Sequence, residues 1–328
     1  MRVSDFIDHA FHHFNAGTLR RAAHAFATHV NGGGKMVVTL AGGLSTGRIG
    51  IMLAEMIRQG KVHMVVSTAA NLEEDLFLWA FGDTYVPVID YSNCSLEQEA
   101  KLLDLGYNRV TDVAIPENGM RLIEKLWINN LRLNVGPLFP YERIWMLFDE
   151  LALLEHHRCH GQPKEHSWVL AAKQHGVPIY TPGWEDCTLA NMTVAEALRG
   201  DTSVLHRFQS GLEAMIEIAG WYQMHCNLIA GEPVNPGVGF FQIGGGISGD
   251  FPICAVPMLR QDLGKDYLPH WSYFCQIGDS QESYGGYSGA KPSEKITWDK
   301  VSPETPMFDI KSDASIVAPL IFAYVLGW

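Results

Sequence analysis

Two spacings of apolar residues alternate along this chain. Residues 36–40 are almost continuously apolar, as in a strand covered on both faces. Ile49, Met52, Leu53, Met56 and Ile57 then recur at helical spacing. Between them lies "AGGLSTG", residues 41–47, where Ser45 or Thr46 is placed to cap the helix and Gly60 to end it. The plan repeats in an apolar strand at 62–66, the loop "STAANLEED" and another helix. "NRVTDVAIPENGMRLIEKLW" predicts a further strand with a helix after Pro116. "HGVPIYTPGWED", "GVGFFQIGGG", "SYFCQIGDS" and "MFDIKSDAS" each read as a strand running into a loop.

Strand–loop–helix units in this order predict an α/β fold: a single large domain with a mostly parallel, Rossmann-like sheet flanked by helices. Residues 1–30 form a helical N-terminal segment in this reading, 36–328 the core, and about 118–175 a helical insertion. No internal repeat and no Gly/Pro/Ser-rich linker divides the 328 residues. "ASIVAPLIFAYVLGW" predicts a buried C-terminal helix, short for a bilayer and containing Pro319.

Composition narrows the function classes. Hydrophobic residues at 47% against 18% charged suit a large core, and a net charge of −12 argues against nucleic acid and is compatible with a cationic substrate. The six cysteines, at 94, 159, 187, 226, 254 and 275, form no C-x-x-C pair and read as reduced thiols of a cytoplasmic protein. "MRVSDFIDHAFHHF" lacks the unbroken apolar core of a signal peptide.

Candidate chemistry gathers at strand ends. "AGGLSTG" opens a helix as dinucleotide loops do, yet it is not G-x-G-x-x-G, and a plain tight turn explains it equally well. Glu73, Glu74 and Asp75 either bind a cation or favour a helix N-terminus. Glu185 and Asp186 fall in another strand-end loop, and "QIGGGISGD" allows close backbone approach or mere flexibility. "EHHRCH", residues 155–160, brings His156 and His160 to helical spacing, but it lies away from the strand ends and reads as a polar helix end, so no metal is expected. In "SGAKPSEKITWDKV", Lys291 and Lys295 read as surface charges. If "ITWDKV" is extended, Ile296, Trp298 and Lys300 share one face and Asp299 the other. Lys300 is then either a lysine with its stem on an indole or a desolvated amine suited to imine chemistry; the residues alone favour the former.

"GGYSGAKPSEKITWDKV" followed by "DIKSDASIVAPLI" resembles the deoxyhypusine synthase family, whose "SGA-P-EA-SWGK" block precedes a "DAS" segment and an apolar helix. The resemblance extends back through "GWEDCTLANM", "STAANLEEDL" and "AGGLSTG", in the same order, and looks most like the bacterial and archaeal branch. It implies an NAD-dependent transferase that carries an aminobutyl fragment from spermidine as a lysine imine. The acceptor is a lysine of a translation initiation factor, or putrescine in homospermidine synthesis. It also implies a homotetramer with active sites between subunits.

Under this resemblance Lys300 matches the imine-forming lysine, Trp298 the channel wall and Glu294 a channel carboxylate. Gly42, Gly43, Leu44, Ser45 and Thr46 match one nucleotide loop and Thr68, Ala69 and Ala70 the next. Glu73 and Glu74 match an acidic pair near nicotinamide and amine; Asp186, Asp279, Ser280, Asp313 and Ala314 match further NAD contacts. Gly246, Phe251, Gly285, Gly286 and Tyr287 fall on the channel side. Asn191, Tyr284 and Tyr287 stand where the family has acids, Asp250 or Phe251 where it has a histidine, and Asp279 where it has a neutral residue. An amide binds ammonium less strongly than a carboxylate does. The amine half has thus lost charge, which motivates an alternative: a non-catalytic NAD-binding homologue serving as scaffold.

Overall fold

The apolar runs pair as strands, and the amphipathic runs cover them. The computed structural model describes residues 1–154, 161–226, 228–229, 232–233 and 236–328, so "EHHRCH" lies outside the described residues. In chain order the strands are β1 (Lys35–Leu40), β2 (Met64–Ser67), β3 (Val86–Pro87), β4 (Tyr107–Val110), β5 (Val113–Pro116), β6 (Ile179–Tyr180), β7 (Leu228–Ile229), β8 (Glu232–Pro233), β9 (Val238–Ile243), β10 (Tyr273–Gly278) and β11 (Met307–Lys311). Six of them form one sheet in the order β11-β10-β9-β1-β2-β6, with every pair parallel. β1 and β9 are buried along nearly their whole length, which is why their sequences do not alternate.

Helices Phe14–Asn31 and Ala314–Leu326 pack on each other over one part of this sheet, and helices Gly50–Arg58 and Trp168–His175 pack together over another. The C-terminal helix is buried as its composition predicts, and no described helix is long and apolar enough to cross a membrane.

Three local expectations are corrected. Residues 107–116 form no strand of the main sheet; β4 and β5 are a hairpin, and β3 joins them in a small antiparallel sheet. "YNRV" is too polar to be covered on both faces. The helix after "AGGLSTG" begins only at Gly50, so neither Ser45 nor Thr46 caps it; their amides donate instead to Asn71 Oδ1 and Glu74 Oε2. "ITWDKV" is not extended. Glu294–Thr297 is a helical turn, Trp298 its C-cap, and Asp299 follows at φ +56°.

That turn ends in a paired closure. The Lys300 amide donates to the Lys295 carbonyl at 3.0 Å, and the Asp299 amide to the Ile296 carbonyl at 3.0 Å. This is the Schellman pattern, in which the residue before the last turn and the residue after the cap are brought together. Here those residues are Lys295 and Lys300, so Lys300 is paired with Lys295 rather than with Trp298.

Candidate active site

The chain leaves β1 toward β2 and β6 on one side, while β9, β10 and β11 run out on the other. The strand order therefore reverses between β1 and β9, and a crevice outside the carboxyl ends at such a point is where open α/β sheets take ligands. The 41–47 loop stands there beside Gly244–Gly246. A Cβ on Gly244 would lie 2.7 Å from that of Ala41, so only glycine fits. Thr68 Oγ1 and Asn71 Nδ2 donate to the Gly42 carbonyl at 2.6 and 2.9 Å, fixing the loop, while Gly42 at φ +61° leaves open space where a side chain would stand. Ser45 is buried and accepts from the Trp168 indole at 3.0 Å. The buried hydroxyl of Thr181 has no partner among the described residues, while that of Thr46 lies beside the Glu74 carboxylate.

The remaining candidates for cofactor contact lie along this same edge. Ala69 and Ala70 open the helix Ala69–Phe81, which Thr68 caps. Asp279 and Ser280 follow β10, and the Ser280 carbonyl accepts from Lys311 Nζ at 3.0 Å. Asp186 is exposed beyond β6. Asp313 caps helix Ala314–Leu326, accepting from the Ser315 amide at 2.7 Å. Glu74 accepts from the Thr46 amide at 3.0 Å and would crowd any side chain at Gly43; burial pushes its carboxyl above the usual range. Glu73 does not serve its own helix. Its carboxylate accepts from the Thr188 and Leu189 amides at 2.9 and 2.8 Å, capping helix Thr188–Leu198, and burial raises it too.

Lys300 lies in a cavity of about 240 Å³ lined by Asp250, Cys254, Tyr287, Ala290, Glu294, Lys295 and Trp298. Its side chain is buried, and Nζ donates to Asp250 Oδ1 at 3.0 Å. The Tyr287 ring lies 5.3 Å from Nζ and the Trp298 ring 5.8 Å. A second cavity, lined by Gly246, Phe251 and Met215 among others, shares Asp250, Cys254 and Tyr287 with the first. Segment 280–290 connects cavity and crevice. Tyr287 donates to Gln242 Oε1 on β9 at 2.9 Å, and Ser288 presses on Gly245. A larger void of about 930 Å³ lies at the opposite end of the strands, between residues such as His24 and Pro306. It holds none of the candidate residues.

Several site expectations change in this geometry. Trp298 is 67% exposed and stands at the rim; most of the desolvation of Lys300 comes from other neighbours. Lys295 is no surface charge. It is 3% exposed, its Nζ donates to Gln276 Oε1 at 3.3 Å, and burial, aided by the nearby Lys300 charge, lowers it to about 8. Asp250, rather than Phe251, meets Lys300. Asn191, Gly285, Gly286 and Tyr284 are exposed and do not line the lysine cavity.

The buried glutamines were missed by sequence reasoning. Gln242 pairs in register with Gln276, which pairs with Asp309, making a polar row across β9, β10 and β11. Their signal was present as a short repetition, "FFQIG" at 240–244 and "FCQIG" at 274–278.

A deoxyhypusine synthase family model matches residues 8–325. A deoxyhypusine synthase-like protein of a Cyanothece species is 29% identical, with 99% of this chain and 79% of the relative aligned. An archaeal protein of Methanosarcina acetivorans, named probable deoxyhypusine synthase 2, is 25% identical over 82% of this chain and 70% of its own. A crystal structure from Entamoeba histolytica, assigned to the deoxyhypusine synthases, superposes with a TM-score of 0.56 at 10% identity, covering all of this chain and 94% of that one. A family match over nearly the whole chain, on a parallel sheet of this order, means that the chain belongs to the deoxyhypusine synthase family.

Proposed function

We propose that the protein transfers an aminobutyl group between amines through an imine on Lys300, with NAD held at the carboxyl edge of the sheet. The observation that carries this reading is a buried lysine in a cavity that adjoins the strand-end crevice, with a carboxylate 3.0 Å from its nitrogen. Lysine attacks only as the free amine, and Asp250 stands where the proton of Lys300 Nζ can go.

The crevice fits a dinucleotide. Gly42 and Gly246 leave it clear of side chains, and the buried Thr181 hydroxyl has no partner among the described residues. Gly42–Thr46, Thr68–Ala70, Asp186, Asp279, Ser280, Asp313 and Ala314 are the residues that would hold NAD. Glu74, whose carboxylate meets the first loop from helix Ala69–Phe81, suits ribose hydroxyls or a cationic ring better than phosphate. NAD bound there supplies the two-electron acceptor that oxidises the donor amine and returns the hydride to the final imine.

The chain's own residues do the rest. Lys300 Nζ forms a bond to the oxidised carbon, and the donor's other amine leaves with a proton. An acceptor amine then displaces Lys300, restoring its ammonium beside Asp250. Glu294 at the rim offers a carboxylate to an incoming ammonium. The exposed Trp298 and Tyr284 suit coverage by a second copy of the chain, in line with sites between subunits.

Incubation with spermidine, NAD and putrescine, followed by borohydride and peptide mapping, tests the reading. An aminobutyl adduct on Lys300, absent in Lys300→Ala, is the expected result. NAD-dependent thermal stabilisation without any adduct would overturn it in favour of a non-catalytic binding protein.

A further inference from the structure

The reaction outlined above needs one lysine, yet the cavity contains two. Lys295 enters it from the turn Glu294–Thr297 and runs toward the sheet, with Nζ 4.9 Å from the Phe274 ring centroid and 4.7 Å from that of Tyr287. Its nitrogen donates to Gln276 Oε1, and among the described residues no carboxylate forms an ion pair with it. Gln276 is held in turn, because its amide donates to Asp309 Oδ1 and to the Ala290 carbonyl, both at 3.0 Å. Asp250, Asp309 and Glu294 act on it only without direct pairing, and two aromatic faces with a fixed amide oxygen are what a protein offers a bound alkylammonium when no carboxylate touches it. Here the box is filled by the protein's own ammonium.

The charges around the cavity then sort themselves. Asp250 is paired with Lys300, and Glu294 at the rim is the one acid of the lining left for a substrate. A triamine brings one more ammonium than a diamine, and inside this cavity the extra charge would meet Lys295 with no free acid to offset it. Like charges at such range in a desolvated site repel strongly.

We propose that Lys295 is a specificity residue, an internal ammonium standing in for one charge of the substrate, so that the site takes an α,ω-diamine as aminoalkyl donor in preference to a triamine. This rests on the aminobutyl-transfer reading and names its donor class. With a diamine, the hydride goes to the nicotinamide, the Lys300–carbon bond forms, and the carbon–nitrogen bond that breaks releases ammonia.

The test compares putrescine with spermidine as sole donor, with NAD present, by the initial rate of borohydride-trapped adduct on Lys300. Wild type should favour the diamine at least tenfold in kcat/KM. Lys295→Met should lower that preference at least tenfold, chiefly through the KM for spermidine, and Lys295→Arg should keep it. Lys295→Gln gives the same reading should the methionine variant fold poorly. A preference unchanged in both neutral variants, or a wild type that favours spermidine, overturns the inference and leaves the transfer reading standing. No adduct with either donor in wild type overturns both.

Discussion

Lys300 donates its amide to the carbonyl of Lys295 across a cap whose central residue, Asp299, is left-handed at φ +56°. Glycine is the usual occupant of that position, and the "SWGK" pattern of the family has glycine there. This chain holds an aspartate in place by other means. Arg260 Nε donates to Asp299 Oδ2 at 2.9 Å, and His270 Nε2 meets Oδ1 at 2.6 Å. Burial opposes ionisation of Asp299, but these two bonds outweigh it and hold the carboxyl below its usual range.

Asp299→Ala therefore keeps the strained backbone and loses both bonds, whereas Asp299→Gly loses the bonds and relieves the strain. The alanine variant should be less stable than the glycine variant by about 1 kcal/mol in urea denaturation. It should also form the Lys300 adduct more slowly, because the cap sets where Lys300 points. Equal stability of the two variants would show that the cap stores no strain.

The main sheet was legible because buried parallel strands are written as unbroken apolar runs, and β1, β9 and β10 are such runs. The lysine cavity was not. Local periodicity makes "ITWDKV" look extended, while its conformation is set by the cap and by Arg260 and His270, which lie elsewhere in the sequence. Lys295 looked like any charge in a polar stretch. What buries it is Gln276, Phe274 and Tyr287, contacts that no spacing rule reveals. Lys300 itself was found through resemblance, since a lysine beside a tryptophan reads more simply as a surface residue.

Asp75 gives a stability prediction with a definite sign. It is fully buried against the N-terminus of helix Trp168–His175, where Ser167 Oγ donates to it at 2.5 Å and the Val169 amide at 3.2 Å. Burial nonetheless pushes its carboxyl up to about 7. Between about pH 4 and 7 the folded chain keeps a proton that the unfolded chain has released, so stability falls as pH rises through that window, by about 1.4 kcal/mol per unit at most. Asp75→Asn removes this component. Wild-type and variant denaturation free energies, measured from pH 4 to 8, should converge on the acid side and separate in favour of the variant toward pH 8.

For Lys295 the linkage runs the other way. Burial lowers its folded value to about 8 from 10.5. Between those values the unfolded chain binds the extra proton, so stability rises with pH across that window and the full penalty of the buried charge applies below it. Lys295→Met should accordingly be more stable than wild type at pH 7, by about 1–3 kcal/mol. The advantage should shrink steadily between pH 8 and 10. A constant difference across that range would mean that Lys295 is not the group titrating.

Gln276 and Lys295 should prove coupled. Gln276→Leu removes the only side-chain oxygen among the described residues to which Lys295 Nζ donates and also frees Asp309 and the Ala290 carbonyl. On its own it strands a buried ammonium, and a cost of about 2–3 kcal/mol is expected. In Gln276→Leu/Lys295→Met no ammonium remains to be stranded, so the double variant should be more stable than the sum of the single effects by at least about 1 kcal/mol. Urea denaturation of the four proteins at pH 7 closes the cycle. Strict additivity would mean that Lys295 does not depend on the polar row across β9, β10 and β11, and that its position in the cavity is set by the turn alone.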